Sequence, residues 1–118
     1  MLAQIRLKRV YAPVERGDGF RVLVDRLWPR GLAKKEAKID WWCKEIAPSN
    51  ELRSHFHQNK LTWAVFQKKY YSELRRQGSL LNQFCIRLSK YKRVTLLFGA
   101  KNELHNNAVA LLKILLKK

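Results

Sequence analysis

Two short apolar runs, each ended by turn-forming residues, constrain the fold of this chain most. Val22-Leu23-Val24 leads into Asp25-Arg26-Leu27-Trp28-Pro29-Arg30-Gly31, and Val94-Thr95-Leu96-Leu97-Phe98 closes on Gly99. Runs this short and apolar, bounded by Pro and Gly, read as buried strands that end in turns. Gln4 to Tyr11 alternates instead, with Ile5 and Leu7 on one side and Arg6 and Lys8 on the other. That pattern predicts a strand with one wet face near a sheet edge. The link to the second strand, Ala12 to Gly19, is a loop too short for a crossover helix. It therefore favours an antiparallel pair or strands that are not neighbours.

Between the second and last strands the apolar period changes to 3.6. Ile39, Trp42, Cys43 and Ile46 form one stripe, which predicts a helix over 34–47 that ends at Pro48. Ser49 is placed to cap a short helix with Leu52 and Phe56 inward, and Thr62 to cap a longer one. In the latter, Trp63, Phe66, Tyr70 and Leu74 recur at helical spacing until Gly78. This aromatic stripe reads as core rather than as a stacking platform. Ser79 opens a helix with Leu81, Phe84, Cys85 and Leu88 on one face. Ala100-Lys101-Asn102-Glu103 runs into a last one that buries Leu104, Ala108, Leu111, Leu112 and Leu115. Strands alternating with helices make this a small layered α/β domain, with a mainly parallel or mixed sheet flanked by helices.

The 118 residues suit one domain, and no window approaches the length of a membrane span. Charges follow Met1 within a few residues, so no secretion signal forms and the cytoplasm is the expected location. Cys43 and Cys85 are far apart and read as reduced, buried thiols. The outlying quantity is charge: 25 Lys and Arg against 9 Asp and Glu, a formal +16. Such a surface attracts polyanions, nucleic acid among them. The basic residues are scattered in pairs along the chain, however, rather than gathered on one element.

Polar residues crowd two strand exits, where open α/β sheets place their ligands. The first carries Asp25, Arg26, Trp28 and Arg30. The second carries Lys101, Asn102 and Glu103, then His105, Asn106 and Asn107 in the first turn of the last helix. If the two strands are parallel neighbours, both exits open on one edge. Arg26, Arg30 and Lys101 could then meet an anion that a helix N-terminus also faces. His105 is the titratable candidate, and Asp25 or Glu103 would orient it. Each residue also has a structural reading. Asp25 and Arg26 can pair with each other, Trp28-Pro29 can plug the core, and Asn102 can cap the last helix. No Gly-x-Gly-x-x-Gly or Walker loop is present, so no nucleotide cofactor of those kinds is expected. His55-x-His57 lacks a compelling third ligand for zinc, and Ser89 and Cys43 have no neighbouring base.

With these residues in view, the chain resembles the YeaO-like proteins of the bacterial family known as domain of unknown function 488. The resemblance rests on Ile5 to Tyr11, Arg21 to Gly31, Ala47-Pro48-Ser49-x-Glu51-Leu52-Arg53, Thr95 to Phe98 and His105-Asn106-Asn107-Ala108. It implies a compact α/β domain whose Asp-Arg strand end and Glu-x-His-Asn segment face one pocket, and a parallel pairing of the first two strands. Other branches of the family carry Cys-x-Glu and Cys-His-Arg where this chain has Gly99-Ala100-Lys101 and His105-Asn106, so their thiol chemistry does not transfer.

The expectation is a pocket that receives a phosphate or carboxylate through Arg26, Arg30 and Lys101. Trp28 would wall it, Asn106 would supply a neutral hydrogen bond, and His105 and Asp25 would be the acid/base candidates. No cofactor or metal is called for. The alternatives are a nucleic-acid-binding protein acting through its basic surface, and an accessory protein whose pocket takes a partner's acidic tail.

Overall fold

In the computed structural model, which describes residues 4–117, four parallel strands form one open sheet. They are β1 (Gln4–Arg9), β2 (Phe20–Leu23), β3 (Trp41–Trp42) and β4 (Arg93–Phe98), in the order β1-β4-β2-β3. Five helices accompany them: α1 (Lys34–Ala37), α2 (Asn50–His57), α3 (Trp63–Arg76), α4 (Leu80–Leu88) and α5 (Asn107–Leu116). The fold is α/β, and its sheet is parallel rather than mixed.

Strand alternation divides the interior in two. Val22, Val24, Val94, Leu96 and Phe98 join residues of α2 to α5 in the larger core, among them Phe66, Tyr70, Leu74, Phe84 and Leu111. On the other face, Val10, Leu23 and Leu97 are covered by Trp28, Leu32, Ile39 and Trp42. The cover there is loop and Trp42 of β3, not a second helical layer.

The first two strands are not neighbours: β4 lies between them and is parallel to both. The short link thus rules out a helix but not a parallel arrangement, and the parallel pairing implied by resemblance is corrected to a parallel pair with β4 inserted. The link turns through a 3-10 segment at Arg16–Asp18 and buries Asp18 beside β4, where Thr95 Oγ1 donates to the Asp18 carbonyl at 2.7 Å. Lys8 Nζ reaches Asp18 Oδ1 at 2.7 Å, and Arg21 Nη1 reaches Oδ2 at 2.5 Å. Arg21 also donates to the carbonyls of Ala37 and Lys38, which ties α1 to β2. The polar side of β1 is therefore an ion-paired surface under the link.

The helix expected over 34–47 is not formed. Lys38 adopts φ 47°, α1 ends at Ala37, and Trp41–Trp42 pairs with β2. Trp41 and Cys43 face the large core and Trp42 the small one, so a period of two lies beneath the apparent helical stripe. Pairing with the exposed side of β2 outweighs the local period. The expected caps of α2 and α3 are present: Ser49 Oγ accepts from Leu52 N–H and Thr62 Oγ1 from Val65 N–H.

Candidate anion pocket at the strand ends

Because β2 and β4 are parallel neighbours, the chain leaves both at the same sheet edge. Between these exits and the start of α5 lies a cavity of about 270 Å³, roofed by α2. Asp25, Trp28, Arg30, His105 and Asn106 all line it, so the two crowded exits do converge.

Asp25 sits at the floor. Its Oδ2 accepts from Gly99 N–H at 2.7 Å and its Oδ1 from Asn107 Nδ2 at 3.0 Å. A Cβ on residue 99 would stand 3.2 Å from Oδ2, so glycine lets the carboxylate come this close. Burial pushes the Asp25 carboxyl above its ordinary 3.8, against the Asn107 and Gly99 hydrogen bonds and the positive fields of Arg53 and His57.

The other expected residues divide by how far their polar atoms are engaged. Arg26 lines the cavity, but its guanidinium donates to Pro48 O at 3.0 Å and Ala47 O at 3.1 Å, strapping the segment before α2 to the strand exit. Trp28 donates to Leu32 O and meets Trp42 edge-on at 5.4 Å, forming a fixed wall. The carbonyl of Arg30 accepts from Tyr11 Oη, while its exposed side chain stays at the cavity mouth. Lys101 is exposed and does not line the cavity.

The last helix starts later than expected, at Asn107. Asn106 caps it, accepting from Val109 N–H, while Asn102 Oδ1 accepts from the N–H groups of Leu104 and His105 in a separate turn. His105 and Asn106 therefore precede the helix, and Leu104 is 76% exposed rather than buried. The His105 ring stacks on Trp63 of α3 at 4.7 Å.

Two basic residues of this cavity are not among the expected ones. Arg53 and His57, one helical turn apart on α2, both line it. Arg53 Nε is buried and, among the described residues, has no hydrogen-bond partner. The signal was available: Ser49 fixes the start of α2, and Leu52 and Phe56 turn inward. Positions 53 and 57 therefore share the adjoining stripe. Among the described residues, no three His, Cys, Asp or Glu side chains come together as a metal site.

A parallel α/β fold with a cavity at its strand ends, built from Asp25-Arg26-Leu27-Trp28-Pro29-Arg30 and His105-Asn106-Asn107, defines the class. The chain belongs to the family DUF488-N3i, described as the inactive DUF488-N3 subclade, which matches residues 4–118. It is 44% identical over 110 residues to the uncharacterized protein YeaO of Escherichia coli, covering 91% of this chain and 92% of that one. It is also 40% identical over 77 residues to the uncharacterized protein Rv3073c of Mycobacterium tuberculosis, covering 65% of each. No solved structure matches at comparable significance.

Proposed function

We propose that this protein binds a small ligand bearing a phosphate or carboxylate in the cavity at the strand ends, and that it acts by binding rather than by turnover. The observation that carries this reading is Arg53, whose Nε is buried at the cavity without a partner among the described residues. A buried donor left unpaired costs about 1–3 kcal/mol, more when the group is charged, and an anion accepting from it removes that cost. Arg30, His57 and His105 add cationic or donor groups around the same space, and Trp28 and Phe56 give it apolar walls. Among the described residues Asp25 is the sole acid lining it, and burial favours its neutral form. In this reading Arg53, Arg30 and His105 hold the anion, and Asn106 and Asn107 stiffen the wall behind it.

Binding without turnover agrees with the family's description as inactive and with the residues at hand. Among the described residues no Cys, Ser or Lys lines the cavity. Cys43 is buried elsewhere, and burial pushes its thiol up to about 11, which keeps it protonated and unreactive at neutral pH.

The test is thermal shift of the native protein, the Arg53→Met variant and the Arg30→Ala, His105→Ala double variant. Each is measured against phosphate, sugar phosphates, nucleotides and small carboxylates. A ligand that binds only the folded state raises the midpoint as its concentration passes the dissociation constant. The expected result is a rise with one small anion in the native protein, lost in both variants. A rise with short DNA or RNA alone, salt-sensitive and unchanged by the variants, would instead place function on the basic surface.

A further inference from the structure

On the helical side, away from the strand ends, α3, α4 and α5 enclose a groove of about 510 Å³. Its floor is aliphatic, made by Leu74 of α3, Leu81 of α4, and Ala110 and Ile114 of α5. Its two rims are cationic. Lys68 and Arg75 stand two turns apart along α3, and Lys113 and Lys117 one turn apart at the end of α5. Among the described residues no carboxylate side chain lines the groove. A shallower depression continues the α3 rim outward through Arg75 and Arg76.

We infer that this groove docks an acidic amphipathic helix of a partner protein, with the partner's apolar stripe on the Leu74–Leu81–Ile114 floor and its acids along the two basic rims. An aliphatic trough between helices is the form that receives the i, i+3, i+4, i+7 stripe of a helix. The rims then set the sign of the flanking charge, attracting acids and rejecting basic helices. The chain's own composition excludes a second copy as the occupant. At +16 net charge it repels itself. Of its two longest helices, α3 carries one acid, Glu73, and α5 none. The floor also argues against single-stranded nucleic acid, whose sequence-tolerant binding stacks successive bases on aromatic faces. The one aromatic here, Tyr71, stands at the rim with the Arg75 guanidinium over its ring at 5.7 Å.

The probe is a fluorescein-labelled peptide of about 20 residues, long enough for five helical turns, with Leu at i, i+3, i+4 and i+7 and Glu between. It is compared with a scramble of equal composition lacking the stripe, and with a single-stranded RNA of similar charge. Affinities are read by anisotropy at physiological salt for the native protein, for Arg75→Glu with Lys113→Glu, and for Lys34→Glu with Lys35→Glu on α1. The last makes the same charge change far from the groove, and circular dichroism confirms that both double variants fold. The expected result is binding of the striped peptide at least about tenfold tighter than the scramble, reduced about tenfold or more by the groove variant and by about twofold or less by the α1 variant. Equal affinity for stripe and scramble, equal losses in both double variants, tighter groove-dependent binding of RNA, or no binding at all would each overturn the inference.

Discussion

Asp18 and Asp25 are both carboxylates at the ends of the β2 segment, yet their surroundings drive them in opposite directions. Burial alone would raise Asp18, but hydrogen bonds from Lys8, the Glu15 N–H and Arg21 together hold it below its ordinary 3.8. Its folded form therefore contributes stability above 3.8, which is lost as pH falls through the lower folded value. Asp18→Asn leaves Arg21, 3% exposed, without its counter-charge. We expect it to cost about 3–5 kcal/mol at neutral pH. Urea unfolding at a series of pH values should show the gap to the native protein shrinking below 3.8.

Asp25 runs the other way. Its folded value lies above 3.8, so its stabilising neutral state is full below 3.8 and lost as pH rises through the raised value. Its ionised form also opposes an anion in the cavity. Sulfate, whose charge is constant in this range, should bind more tightly as pH falls through the Asp25 transition. In Asp25→Asn that part of the pH dependence should vanish. Calorimetric titration of both proteins against pH measures the difference, and identical profiles would remove Asp25 from the account.

At the scale of elements, the turn into β2 depends on one glycine. Gly19 has φ 66°, and a Cβ there would stand 2.3 Å from the Arg93 carbonyl at the start of β4. Gly19→Ala should therefore destabilise by roughly 2–4 kcal/mol, combining left-handed strain with displacement of a backbone, visible as a lower urea midpoint. Gly78→Ala offers the contrast. Its φ is 65°, but nothing lies within 4 Å of a Cβ there, so only the conformational term of about 1 kcal/mol remains.

Elements with a single dominant signal were legible in the sequence. The alternating edge strand, the apolar β4, the Ser49 and Thr62 caps and the Phe66–Tyr70–Leu74 face of α3 all follow from local pattern. Trp41–Trp42 was not legible, because a two-residue strand is fixed by the open side of β2 and not by its own neighbours. The start of α5 was displaced for a similar reason. Asn102 and Asn106 are equally good capping residues in sequence, and only packing selects the second. The convergence of the two strand exits could be read, and so could the stripe that Arg53 and His57 share on α2; its place over the cavity could not, since the packing of α2 over the sheet edge is a tertiary fact. Arg26 shows the converse. Its charge looked available, and the fold uses it to hold the carbonyls of Ala47 and Pro48.

At the scale of the whole molecule, the two faces of the sheet have different roles. The helical face carries the main core and the basic groove, and the other is closed by loops and the ion pairs around Asp18. The cavity lies at the edge where both layers meet, with α2 above it and the exits of β2 and β4 beneath. Among the described residues no helix is long and apolar enough to cross a membrane. The large positive charge is spread over both layers, so it raises the encounter rate with any anion but does not select one. On the proposed function, selection belongs to the cavity, where the buried Arg53 Nε–H has a hydrogen bond to give.

The most direct measurement is the nitrogen-detected NMR signal of the arginine Nε–H groups, with Arg53 assigned by its loss in Arg53→Lys. Phosphate or a small carboxylate should move the Arg53 signal along a saturable curve. The Arg26 signal, already bonded to the Pro48 carbonyl, should stay in place. An Arg53 signal that does not move, or that drifts without saturation along with the surface arginines, would contradict an anion site in this cavity.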